Sequence, residues 1–181
     1  MIKWLASVVG PLLLLLPSAH ADEALERVKD TLASTAESYG VFEQSKTIAS
    51  LSRPLNASGK FLFEQHRGVV WLTEEPFLSQ QCWTADSTSS SSASYWVSAI
   101  FAGDFAKLSR FFEVTAQWQD EAWKIRLVPL NEAVAAVISA VEVSGSQHLE
   151  RIVYREVGGH STEIKLRVLA ERPDINWTSC P

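Results

Sequence analysis

Only two cysteines occur in this chain, and its one methionine is the first residue. There is no C-x-x-C pair, so a zinc ribbon and a thioredoxin-type redox motif are both excluded. Gly-x-Ser-x-Gly is absent, and so is any Gly-rich phosphate loop, which removes the nucleophile elbow and the P-loop. His66, His148 and His160 stand at no metal-ligand spacing. Gly159-His160-Ser161-Thr162-Glu163 does set a histidine beside a serine. It lies at a hairpin, where adjacent strand residues point to opposite faces and do not readily pair. The expectation is a protein without catalysis, metal or cofactor.

Positive charge is also short. Lys and Arg number 16 against 21 Asp and Glu, a net charge of −5. Such a chain has no electrostatic basis for binding nucleic acid or for general attraction to anionic lipid.

What is present begins with an export signal. Lys3 supplies a positive start, Val8 to Leu16 a short apolar stretch broken by Pro11, and Ala19-His20-Ala21 an A-x-A cleavage site. The apolar run falls short of the roughly 20 residues of a spanning helix. Asp22 follows the cut, where a lipid-modified lipoprotein would need Cys. Residues 1–21 are therefore read as a signal peptide, and 22–181 as one exported domain. In an oxidising compartment Cys82 and Cys180 are expected to pair. Closing a loop of about 100 residues contributes roughly 4 to 5 kcal/mol in the chain-entropy model. The bridge would pin the C-terminal tail to the middle of the sheet.

Leu25, Val28, Leu32 and Ala36 recur at helical spacing and predict a helix over Asp22–Glu37, with Asp22 as its cap and Gly40 as its stop. Strands are predicted over Val41–Ala49, Lys60–Gln65, Val69–Thr73 and Phe77–Thr84, with a turn over Ser52–Ser58. The serine tract Asp86–Ser94 reads as a mobile loop. Two short helical segments follow, carrying Trp96, Ile100 and Phe101, then Phe105, Leu108 and Phe111. Glu113–Gln119 and Ala122–Val128 form a hairpin around Asp120-Glu121, and Asn131–Ile138 is a short helix or turn. Leu149–Val157 and His160–Ala170 flank the turn Gly158-Gly159.

This makes eight or nine meandering antiparallel strands, an α+β chain. One apolar face on so many twisted strands must curl or be covered. An incomplete, half-closed antiparallel β-barrel with helices covering its mouth meets both demands. Its inward residues are expected to be Phe61, Phe63, Val69, Trp71, Trp118, Trp123, Ile125, Leu127, Ile152, Tyr154, Ile164, Leu166 and Val168. Such a set suits either a plain core or a cavity for an apolar ligand. The second apolar set, Trp96, Ile100, Phe101, Phe105, Leu108 and Phe111, follows a flexible tract as a movable lid would, and favours the cavity.

Ordered pieces of the chain resemble the LolA-type periplasmic carriers of outer-membrane lipoproteins. They are Phe42-x-Gln44-x-Lys46, Ser58-Gly59-x-Phe61-x-Phe63, Gly68-x-x-Trp71 and Pro76-Phe77. Ala102-Gly103-Asp104 with Leu108 and Phe111, Trp123 to Pro129, and Leu149-x-x-Ile152 follow in the same order. The resemblance implies a hydrophobic cavity for lipoprotein acyl chains, no catalysis and no cofactor. It also implies a monomer that receives cargo from an inner-membrane release complex and passes it to an outer-membrane acceptor. The alternative cargo is another lipid, of glycolipid or polyene type, carried for an export system; a secreted hydrolase is a third reading. One position departs from the pattern. The familiar carriers place an Arg before the proline of the strand-end motif, where it hydrogen-bonds the lid closed. Here that place holds Glu75, which when ionised only accepts.

Overall fold

The computed structural model describes residues 19–84, 93–178 and 180. The signal reading of residues 1–18 and the loop reading of residues 86–92 lie outside them. Helix α1 (Ala19–Ala33) leads into β1 (Glu37–Thr47), β2 (Leu55–Glu64), β3 (Gly68–Glu75) and β4 (Ser79–Thr84). Helices α2 (Ala93–Ala102) and α3 (Phe105–Leu108) follow. The chain then forms β5 (Phe112–Gln119), β6 (Ala122–Pro129), α4 (Glu132–Ala135), β7 (Ile138–Gly145), β8 (Leu149–Glu156) and β9 (Ser161–Val168).

The strands make one sheet in the order β4-β3-β2-β1-β9-β8-β7-β6-β5. Every neighbouring pair is antiparallel. The edge strands β4 and β5 do not pair, so the barrel is half-closed. Eight antiparallel steps leave those edges running the same way. The connection from β4 to β5 must therefore return along the length of the sheet, and it carries α2 and α3. Helix α2 packs on β3 and β4, while α1 packs on β5 and β6. Together they cover the inner face.

Alternation along the strands makes that face apolar. Phe42, Phe61, Phe63, Val69, Trp71, Ile125, Leu127, Val141, Val143, Ile152 and Leu166 are buried in one cluster with Val28 and Leu32 of α1 and Ile100 and Phe101 of α2. Glycines face two of the large rings across the β1–β2 ladder. Gly40 lies opposite Phe61, and Gly59 opposite Phe42. A Cβ on Gly40 would stand 2.0 Å from the Arg167 carbonyl oxygen and 3.0 Å from the Phe61 ring.

Several elements differ from the sequence expectation. The helix begins at Ala19 and ends at Ala33, so Asp22 lies in its first turn. There it favours the positive helix end without being the cap. Gly40 is no helix stop: Glu37, Ser38 and Tyr39 already pair with β2. The expected turn over Ser52–Ser58 is shorter, because β2 begins at Leu55. Strand β7 was not foreseen. Its approach, Asn131 to Ile138, is rich in alanine and reads as a short helix or turn, and only Glu132–Ala135 is helical.

The outer face has its own small core. Leu62, Val70, Ile175 and Trp177 are buried together, with Tyr39, Leu72, Cys82 and Cys180 packed on them. The tail after β9 thus crosses the outside of β2 to β4. The Gln80 side-chain amide donates to the Asn176 carbonyl at 3.3 Å, and the Arg67 guanidinium lies 4.6 Å from the Trp177 ring centroid. Cys82 and Cys180 are bridged across a separation of 98 residues. The anchor is the edge strand β4, not the middle of the sheet.

Two outcomes follow from this packing. Gly40→Ala should cost about 1–3 kcal/mol in chemical denaturation, because the neighbouring backbone must move. An unchanged midpoint would show that the approach is not tight. Cys180→Ser should lower stability by roughly 2–5 kcal/mol and expose Trp177 to a fluorescence quencher. Equal quenching in both proteins would mean that the tail stays down without the bridge.

Candidate functional site

A cavity of about 410 Å³ lies between α2 and the inner face of the sheet. Trp71, Thr73, Gln81 and Trp83 line it from β3 and β4, Gln44 from β1, and Ile164 from β9. Ile152, Tyr154 and Glu156 enter from β8, Val137 and Ile138 from the start of β7, and Trp96 and Val97 from α2. Strand register explains the gathering. Trp71 faces Gln81, Val69 faces Trp83, and Ile152 faces Ile164, so each pair shares one side of the sheet.

Aromatic rings build the wall. Phe42 stacks on Trp71 with centroids 3.9 Å apart, and Trp83 stacks on the other flank of Trp71 at 5.8 Å. Trp96 meets Tyr154 edge-on at 6.1 Å across the cavity. Phe101 of α2 reaches down between Phe61 at 5.7 Å and Phe63 at 5.5 Å. Together Trp96, Tyr154, Phe101, Phe61 and Phe63 hold the helix to the sheet by apolar contact. Asp104 caps α3, its carboxylate accepting from the Lys107 backbone N–H at 3.0 Å.

Charge is kept to the rim and the outside. Glu156 is the one ionisable side chain other than Tyr154 among the described lining residues, and it accepts from the Lys46 ammonium at 2.9 Å. On the outer face Glu142 meets Arg155 at 2.8 Å, Lys124 at 3.2 Å and Arg126 at 3.4 Å. The Arg155 hydrogen bond, with Lys124 behind it, holds the Glu142 carboxyl below the usual carboxylate range despite its burial. Arg151 does the same to Glu163 through a 2.6 Å hydrogen bond. The inner face is left with neutral polar groups, Gln44, Thr73 and Gln81.

Of the inward residues named from sequence, Trp71, Ile152, Tyr154 and Ile164 line the cavity, with Trp96 from the lid set. Phe61, Phe63, Val69, Trp123, Ile125, Leu127 and Leu166 are on the same face but lie in the closed core. Val168 is partly buried against that core. Trp118 is on the inner face too, but outside this cavity. It sits half-buried at the far end of β5, under the Arg27 guanidinium at 4.1 Å, and its indole N–H donates to the Asp120 carbonyl. It does not reach the cavity because β5 is on the opposite edge from β4. Ile100, Phe101, Phe105 and Leu108 are buried against the sheet and α1, and Phe111 is partly buried.

Sequence reasoning missed Trp83, Val97, Gln44, Gln81, Val137 and Ile138. Val97 was readable, since it shares a helical face with Ile100 and Phe101. Val137 and Ile138 went with the unforeseen β7. Glu75 is exposed and lines a polar depression on the outside with Glu43, Ser45, Asn56, Ser58, Glu163 and Lys165. It does not take part in the lid contact.

Compared with known proteins, the chain matches no family model, and no curated protein matches it in sequence. Solved structures do show likeness. A LolA superfamily protein from Nitrosomonas europaea superposes with a TM-score of 0.42 at 9% identity, covering 87% of this chain and 96% of its own. A domain assigned as an outer membrane lipoprotein-sorting protein, from Vibrio parahaemolyticus, gives 0.40 at 9% identity, with 84% and 95% covered. A DUF1329 family protein from Desulfovibrio piger gives 0.33 at 13% identity, with 86% and 95% covered. At such identities and TM-scores these likenesses carry no residue roles across.

Phe101→Leu keeps an apolar plug but removes the ring contacts with Phe61 and Phe63. Backbone amides of α2 should then exchange with solvent about tenfold faster, while those of β1 and β9 keep their protection. Uniform exchange across both would show that α2 and the sheet open as one unit.

Proposed function

We propose that this chain is an exported, non-catalytic carrier that shelters a lipid acyl chain in the cavity beneath α2. The observation that carries the reading is the cavity itself. Four aromatic rings, Trp71, Trp83, Trp96 and Tyr154, enclose it, and α2 closes it by apolar contact. Burying an acyl chain there gains about 0.8 kcal/mol per CH₂. A helix held by ring contacts can release that chain again, which a sealed core cannot. Gln44, Thr73 and Gln81 give the polar end of an amphiphile neutral partners.

On this reading the cargo enters from a donor at the inner membrane and leaves to an acceptor at the outer one, as in LolA-type lipoprotein carriers. Two observations favour a simpler lipid over a triacylated lipoprotein. A volume of about 410 Å³ lies in the lower part of the range of small-ligand pockets. Glu75, standing where those carriers place their latch Arg, faces the outer depression. A lipid with one or two chains, handed to an export system, fits both.

Native mass spectrometry of protein recovered from the periplasm identifies the cargo, and an absence of co-purified lipid would count against the carrier. Trp71→Ala should weaken binding of a fluorescent fatty acid at least about tenfold, from lost stacking and apolar contact in the wall. Were affinity retained while the melting temperature fell, Trp71 would be core alone and the cavity no binding site.

A further inference from the structure

Large apolar side chains exposed on this protein gather at one end of it. Among the described residues they are Leu51, Leu55, Phe77, Leu78, Leu130, Val137 and Val157. The β1–β2 connection holds Leu51, and Leu55 opens β2. Phe77 and Leu78 form the β3–β4 turn, Leu130 and Val137 bracket α4 between β6 and β7, and Val157 starts the β8–β9 turn. Antiparallel pairing sends all four connections out of the same end of the sheet. The opposite end, with the turns at His66, Asp120 and Gln147, shows none of these exposed side chains. Phe77 and Leu78 are 81% and 77% exposed.

Hydrogen bonds join three of these connections to one another. The Ala49 N–H donates to His160 Nδ1 at 3.1 Å, joining the β1–β2 loop to the β8–β9 turn. The Val157 N–H donates to the Val137 carbonyl at 2.8 Å, and the Leu130 N–H to the Phe111 carbonyl at 2.7 Å. Val137 also lines the cavity, and Glu156 of the lining adjoins Val157. The apolar tips therefore form a collar at the end of the sheet where Val137 and Glu156 line the cavity.

We propose that this collar is a membrane-docking surface, whose apolar tips enter the interfacial layer of a zwitterionic bilayer and set the cavity mouth against it. The apolar groups ride on four separate hairpin tips and form no groove, which suits a fluid, planar apolar phase better than a shaped protein partner. Their charged neighbours select the kind of bilayer. Lys46 and Lys60 are paired with Glu156 and Glu74. Arg53 and His160 lie at the same end of the sheet as Glu75 and Glu132. With acidic side chains matching the basic ones, the described residues there offer no net basic patch to seek anionic lipid, so attachment is apolar and insensitive to salt. The cavity reading gives the docking its purpose, but each is measured on its own.

Flotation of the periplasmically recovered protein with phosphatidylcholine–phosphatidylethanolamine vesicles, at low and high salt, tests the proposal. The protein should float at both salt levels. Replacing Phe77 and Leu78 together by Ser should cut the bound fraction at least about tenfold with no change in melting temperature. Leu51→Ser, on a separate loop, should act in the same direction and serves if the double variant misfolds. Absence of flotation, equal flotation by the variants, or binding confined to anionic vesicles and lost in salt would each overturn the collar. So would a self-association, seen by sedimentation velocity, that the variants abolish in place of vesicle binding. The fluorescent fatty acid distinguishes the two readings. Probe binding retained in the Phe77/Leu78 variant supports a docking role separate from the cavity, and probe binding lost there assigns these residues to cargo and overturns it.

Discussion

Phe42 lies flat against Trp71, and the inner face is built outward from that pair. The two residues belong to different strands, β1 and β3, and reach each other across β2. Glycines stand opposite two of these rings in the β1–β2 ladder, Gly59 facing Phe42 and Gly40 facing Phe61, and a Cβ on Gly40 would crowd the Phe61 ring. The stack curls the first half of the sheet around its aromatics. It also gives the cavity its floor, since Trp71 presents one flank to Phe42 and another to Trp83. Helix α2 then settles on a surface already shaped by rings.

The outer face is organised by a different force. Its apolar patch is small and is covered by the returning tail, whose last contact is covalent. Elsewhere it carries ion pairs, with Glu142 and Glu163 held ionised by arginines. Exposed pairs of this kind contribute little stability each. Their effect here is to draw charge away from the face that must stay apolar. A curled sheet with charge on one side and rings on the other has only one way to be covered by helices.

Much of this was legible in the chain. Alternation of Phe61 with Phe63, of Ile125 with Leu127 and of Ile164 with Leu166 gave strands, faces and the half-closed sheet, because period-two burial is a local property. The helical spacing of Ile100, Phe101, Phe105 and Leu108 gave the covering segment. What escaped depended on distant partners. Gly40 looks like a helix stop until β9 is seen to pass beside it. The alanines before β7 favour a helix that pairing with β6 and β8 overrides. Trp118 alternates like an inner-face residue and is one, but only strand order shows that it lies far from β3 and β4. Glu75 departs from the lipoprotein carriers in sequence, yet its outward position had to be seen.

The strand order also governs how the molecule is assembled. Seven of the eight pairings join strands that follow one another along the chain, and only β1 with β9 joins distant ones. That ladder brings Thr47 to Ser161 and Gly40 to Val168. The molecule is thus two local meanders, β1 to β4 and β5 to β9, zipped along one seam. Each meander can form from nearby contacts, while the seam carries most of the loop-closure entropy. The wall of the cavity crosses that seam, with Gln44 and Trp71 on one side and Ile152 and Ile164 on the other. A ligand bound there touches both meanders and fastens the one joint between strands far apart in the chain.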